Sequence, residues 1–265
     1  MTSESHLLSI IVPVYNEAGT VGAVIQRLLS VALPIDREIV VVNDGSSDGT
    51  GKVLDGLPPD ERVRIVHVSP NAGKGAAIRR GLEDAHGDII AIQDADLEVD
   101  PAEFAVLVAP ILAGDAVVVY GSRFLDGRLD APFVSVAGNR FLTAVTNLLY
   151  GSSITDMETC YKVMRTDVAR SLDLRANRFD IEPEITAKVL LSGHRIVELP
   201  IGYKPRLKSE GKKIKWRDDM FSITQALILD SLRKKANEDL LKKLMEEEAA
   251  EAEEVNDILE LWLEL

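Results

Sequence analysis

Two aspartates separated by one small residue, Asp94-Ala95-Asp96, close an apolar run that begins near Asp88. Residues two apart on an extended chain point the same way, so both carboxylates can converge on one ligand. Carboxylates ending an apolar strand are costly to desolvate unless a cation offsets them. Two hard oxygen donors joined by substrate phosphates suit Mg²⁺ or Mn²⁺. An N-cap cluster for the following helix is the plainer alternative, but Asp100, directly before Pro101, already fits that role. Two further polar turns follow apolar runs: Val12-Pro13-Val14-Tyr15-Asn16-Glu17 and Val42-Asn43-Asp44-Gly45-Ser46-Ser47-Asp48-Gly49-Thr50. Together they bring Tyr15, Glu17 and Asp44 to one edge, where an aromatic face and a carboxylate can stack on a nucleoside base and accept its N–H groups. Turn formation is the competing reading, since Asp-Gly and Ser-Asp-Gly are common turn formers. Asn71-Ala72-Gly73-Lys74-Gly75-Ala76-Ala77 opens a helical segment. Its backbone N–H groups suit an anion, with Lys74 as a point charge, or simply form a helix-entry turn.

Positioning these groups requires alternating strands and helices. Ser9–Val14, Glu38–Val42, Val63–Val68, Asp88–Gln93 and Ala116–Tyr120 are short, nearly continuous apolar runs, as buried parallel strands are. Helical patterns lie between them near Gly19–Ser30, Thr50–Leu57, Ala72–Ala85 and Pro101–Leu112. This alternation predicts an α/β fold with an open, mostly parallel sheet flanked by helices. Ligands in such sheets gather at the carboxyl ends of the strands, where the polar turns fall. Neither Gly-x-Gly-x-x-Gly nor a Walker A sequence occurs, which disfavours a dinucleotide oxidoreductase and a P-loop kinase.

The chain has 265 residues, 46% hydrophobic and 28% charged, with a formal charge of −13. That acidity argues against a nucleic-acid partner. The single cysteine, Cys160, permits no internal disulfide and favours a reducing, cytoplasmic setting. No run approaches the roughly 18 apolar residues of a transmembrane helix. Lys204–Arg217 holds seven basic residues against one acid, Glu210, and precedes an amphipathic pattern through Phe221, Leu229, Leu232, Ala236, Leu240 and Leu244. The expected organisation is a catalytic domain over residues 1–205, a basic loop over 206–217 and a helical tail over 218–265. From Lys234 onward the tail carries 11 acids and 4 bases. Such a tail suits pairing in a homo-oligomer, whereas the basic loop suits anionic headgroups, closure over a donor diphosphate or plain solvation.

In order, Pro13–Glu17, Asn43–Thr50, Asn71–Gly75 and Asp94–Asp96 resemble the motifs of a glycosyltransferase family 2 enzyme. Gly121–Phe124, Gly138–Arg140, Thr155–Lys162, Phe179–Glu182 and Glu210–Ile214 narrow the resemblance to the polyprenyl-phosphate (dolichyl-phosphate) branch. The resemblance implies a GT-A fold and inverting, metal-dependent transfer of mannose or glucose from GDP-mannose or UDP-glucose to a lipid monophosphate. It gives Pro13, Tyr15, Glu17 and Asp44 to the nucleoside and puts Lys74 near base and ribose. Asp94 and Asp96 bind the metal–diphosphate, with Gln93 beside them, and Mg²⁺ or Mn²⁺ is the implied cofactor. Arg123 and Arg140 grip the acceptor phosphate, while Asp156, Glu182 and Lys212 fall on the sugar and acceptor side. A lipid acceptor further implies a peripheral protein at the cytoplasmic face of the membrane. The competing readings are a family 2 enzyme acting on a soluble or polysaccharide hydroxyl, and an inactive GT-A scaffold.

Overall fold

The structure is a computed structural model that describes residues 6–126 and 131–206, all within the unit Met1–Leu227. The expected basic loop with Lys212 and the helical tail lie outside the described residues.

Seven strands form one sheet in the order β3-β2-β1-β4-β6-β5-β7. In chain order they are β1 (Leu7–Val14), β2 (Asp36–Asp44), β3 (Val63–Val68), β4 (Ile89–Ile92), β5 (Val118–Ser122), β6 (Lys162–Arg165) and β7 (Ile196–Pro200). All neighbouring pairs are parallel except those of β6, which runs antiparallel to both β4 and β5. Parallel strands covered on both faces need apolar side chains on alternate sides. Along β1, Leu8, Ile10, Val12 and Val14 enter one buried cluster, while Ile11 enters another on the opposite face.

Helices α1 (Val21–Ser30), α2 (Thr50–Asp55) and α3 (Lys74–Asp84) connect the first four strands. The helix expected over Pro101–Leu112 is instead a 3₁₀ turn at Pro101–Glu103 followed by α4 (Phe104–Leu107) and α5 (Ala109–Leu112). Pro110 has no N–H for the carbonyl four residues back, which breaks the helix there. Asp100 caps the turn as expected, accepting from the Ala102 N–H at 3.1 Å. The second half adds α6 (Phe133–Tyr150), α7 (Thr166–Ser171) and α8 (Ile181–Leu191). Among the described residues, no helix is long and apolar enough to cross a membrane.

Candidate active site

The carboxyl ends of β1, β2 and β4 bring the three polar turns together. Asp44 ends β2, and its carboxylate accepts from Asn71 Nδ2 at 2.7 Å, the Ala72 N–H at 2.9 Å and the Gly73 N–H at 2.7 Å. The anion held by the Asn71–Gly73 backbone is therefore the chain's own Asp44. Gly73 has φ +102°, and a Cβ there would run into the Asn177 carbonyl. Its freedom lets the start of α3 approach the 176–177 backbone, where Asn177 accepts the Ala76 N–H at 3.1 Å. Tyr15, directly after β1, is 39% exposed.

Lys74, expected near base and ribose, is turned inward. Its ammonium pairs with Asp94 Oδ1 at 2.7 Å and Glu182 Oε1 at 2.9 Å. Burial alone would lower its pKa, but the two carboxylates overcome that and hold it well above the ordinary lysine value. Glu182 is 3% exposed, and its other oxygen meets Lys162 Nζ at 2.5 Å. Burial would raise the Glu182 pKa, yet Lys162 and Lys74 bring it below the usual value. Glu182 is thus a buried anchor between two lysines. Gln93, beside the aspartates, accepts the Tyr161 hydroxyl at 2.5 Å through Oε1 and donates from Nε2 to the Asp94 carbonyl at 2.9 Å.

Asp96 behaves differently. Burial first, then the Asp94 and Glu98 carboxylates, push its pKa up to about 7. Such a cluster of like charges is relieved by a cation. One cation within reach is Arg206, whose Nη2 lies 3.3 Å from Asp96 Oδ2. Arg206 also forks onto Glu17, both bonds being 3.0 Å. Glu98 holds this arm in place, accepting the Arg206 N–H and the Tyr203 hydroxyl at 2.8 Å each. No group of three or more metal-binding side chains occurs among the described residues. As two hard carboxylates, Asp94 and Asp96 fit a divalent cation, whose remaining donors would be substrate phosphates and water.

Arg123 follows β5 and is held by Asp156. Asp156 is fully buried and accepts from Arg123 Nε at 2.7 Å, Arg123 Nη2 at 2.8 Å and the Arg123 N–H at 3.0 Å. Asn139 adds a bond at 3.2 Å, and Glu198 accepts the N–H groups of Thr155 and Asp156. Burial opposes the Arg123 charge, but Asp156 outweighs it and holds the guanidinium above its ordinary pKa. This pairing uses one edge of the fork and leaves Nη1 outside it. The guanidinium also covers the Tyr203 ring at 5.2 Å. Arg140, on α6, is exposed and lies 5.7 Å from the Phe124 ring centroid. Phe133, Val134 and Phe141 of the same helix are 83%, 70% and 56% exposed.

Several site residues carry no role in the sequence reading. Arg206 is visible there only as part of a basic stretch, and Lys162 only as the last residue of the Thr155–Lys162 motif. Glu158 is another: burial, then Glu182, push its carboxyl up to about 7. Its Oε1 has no hydrogen-bond partner among the described residues.

The carboxyl ends of the sheet thus carry twin aspartates after the fourth strand and, after the fifth, an arginine clamped by a buried aspartate. The chain belongs to glycosyl transferase family 2, whose family model matches residues 9–173, and it is a glycosyltransferase. It is 29% identical over 214 residues to the undecaprenyl-phosphate mannosyltransferase of Micrococcus luteus, covering 76% of this chain and 85% of that protein. Polyprenol monophosphomannose synthase of Mycolicibacterium smegmatis is 28% identical over 235 residues, covering 82% and 85%. Glycosyltransferase AglD of Haloferax volcanii is 28% identical over 207 residues, which span 75% of this chain but only 33% of that protein. Among solved structures, glucosyl-3-phosphoglycerate synthase of Mycobacterium tuberculosis, in complex with Mn²⁺, UDP and glucosyl-3-phosphoglycerate, superposes with a TM-score of 0.64. That match has 21% identity and covers 86% of this chain and 80% of the other. It shows the shared GT-A fold.

Proposed function

We propose that the chain transfers a hexose, mannose or glucose, from a nucleoside diphosphate sugar to a polyprenyl or dolichyl monophosphate at a membrane surface, with inversion. The observation that carries this reading is the Asp94–Asp96 pair at the end of β4 together with, at the end of β5, an Arg123–Asp156 clamp that engages Nε and Nη2 and not Nη1 among the described residues. Pro13, Tyr15 and the loop fixed by Asp44 form the nucleoside side. Asp94 and Asp96 hold Mg²⁺ or Mn²⁺, which, when bound, offsets the charge of the departing diphosphate. Arg206 stands between Glu17 and Asp96, where diphosphate and cation would enter. Lys74 orients Asp94 through their ion pair.

Arg123 Nη1 and the exposed Arg140 supply donors for the acceptor phosphate. Asp156 holds the Arg123 plane still, so the lipid phosphate is presented rather than merely attracted. A phosphate monoester is already anionic near neutral pH and attacks without a strong base. The apolar residues exposed on α6 beside Arg140 suit the acyl boundary of a bilayer. The relatives from M. luteus and M. smegmatis, whose names specify lipid-phosphate acceptors, support the same acceptor class.

The test is incubation of labelled GDP-mannose or UDP-glucose with polyprenyl phosphate and Mn²⁺, followed by organic extraction. Labelled lipid supports the reading; label remaining in water with every donor refutes it. One observation favours a second reading, transfer to a hydroxyl. That chemistry needs a base, and Glu158, poised at about 7, has suitable acidity. Product on a soluble sugar acceptor, lost in Glu158→Gln, would select it.

A further inference from the structure

Lys162 heads β6, and its side chain is fully buried. A buried ammonium is costly unless each N–H finds a partner. This one has three: the Met157 carbonyl at 3.0 Å, the Thr159 carbonyl and Glu182 Oε2 at 2.5 Å. Its nitrogen also sits 4.9 Å from the Tyr120 ring centroid. Tight-packed apolar side chains commonly serve stability as well as a buried ion pair does. Stability therefore gives little reason for a lysine at this position, whereas geometry gives one.

The three partners lie on two different parts of the site. Glu182 continues to Lys74 and from there to Asp94, on the donor side. The Met157 and Thr159 carbonyls belong to the segment that carries Asp156, which clamps Arg123 on the acceptor side. An unbroken run of ion pairs, hydrogen bonds and one short backbone segment thus joins Asp94 to Arg123 through a single nitrogen. Lys162 stands at the seam, because β6 is the antiparallel strand between β4 and β5.

We infer that Lys162 is a positioning residue that sets the placement of Arg123 relative to Asp94, and so of the acceptor relative to the donor. It touches no reacting group itself. The inference rests on the reading of Arg123 as the acceptor-side group. Misplacement by about 1 Å can cost on the order of 100-fold in rate.

The experiment is steady-state kinetics of Lys162→Met with donor and polyprenyl phosphate each varied, beside thermal melting and crystal structures of both forms. The expected result is a kcat lowered by about 10- to 100-fold while each KM stays within about threefold. The Met157–Thr159 segment is expected to shift relative to Asp94. A purely structural lysine would lower the melting temperature and leave kcat per folded molecule unchanged. If Lys162→Met does not fold, Lys162→Gln takes its place; its amide can still donate to one carbonyl, and its kcat is expected between wild type and Met. A folded variant of either kind with kcat within about twofold of wild type would overturn the inference. Should the wild type itself make no lipid product, the acceptor reading fails, and the crystal structures decide alone: an unmoved Met157–Thr159 segment overturns the link.

Discussion

Glu158 offers a test of the site's electrostatics that needs no substrate. Its carboxyl has an ordinary value of 4.5, raised in the folded chain to about 7 by burial first and then by Glu182. A raised carboxyl pKa means that the folded protein holds the proton more tightly than the unfolded chain. The stability contributed is complete below about pH 4.5 and declines as pH rises, levelling off above about pH 7. Each tenfold change in proton affinity is worth about 1.4 kcal/mol, so the full effect is about 3 kcal/mol. Replacing the group with Glu158→Gln removes the titration and keeps the shape. The assay is denaturant unfolding of wild type and variant between pH 4.5 and 8. Subtracting one profile from the other cancels the remaining groups, Asp96 included. The variant should gain about 2 to 3 kcal/mol relative to wild type as pH rises across that window. At about 2–4 °C per kcal/mol for a domain of this size, melting points should diverge by roughly 4–12 °C. A difference profile that is flat, or that slopes the other way, would refute burial beside Glu182 as the cause of the raised Glu158 pKa.

Three further outcomes are expected from the same geometry. Asp156→Asn leaves the Arg123 guanidinium without its counter-ion; breaking such a buried pair should cost about 3 kcal/mol in denaturant unfolding. Asp96→Asn relieves the crowding of Asp94 and Glu98, so it should be as stable as wild type or more so at pH 8, while Mn²⁺ affinity read by calorimetry falls at least tenfold; undiminished Mn²⁺ binding would remove Asp96 from the cation site. Gly73→Ala places a Cβ against the Asn177 carbonyl at φ +102° and should lower stability by about 2 kcal/mol or more, read as a melting shift.

The half of the chain that reads most clearly in sequence is the half built from local rules. β3 occupies Val63–Val68 as its apolar run predicts, and the other four expected strands differ from their runs by only a few residues at the ends. Pro101 and its Asp100 cap are equally plain, because both act within one turn. Pro110 is the overlooked punctuation that divides the next helix. β6 is hidden for a different reason: four residues with charges at both ends, Lys162 and Arg165, do not look like a buried strand. The types of the site residues are legible, but their pairings are not. Lys74 meets Glu182 more than a hundred positions away, and Arg206 meets Glu17 across 189 residues. No spacing rule reaches that far, so the sequence offers Lys74 to a ligand when its partners are carboxylates of the chain. Asp44 shows the same effect in miniature, since the N–H groups it occupies look from sequence like an open anion cradle.

The antiparallel β6 strand bears on how such a chain can be recombined. The strand falls between the Arg123–Asp156 clamp and Glu182, and a break there invites exchange of one half of the chain for that of a relative. Lys162 and Glu182 lie on the later side of that boundary, but Lys74 and Asp94 lie on the earlier one. A hybrid that mismatches these four would seal an unbalanced charge inside the protein. Viable hybrids must carry the four residues as one inherited unit.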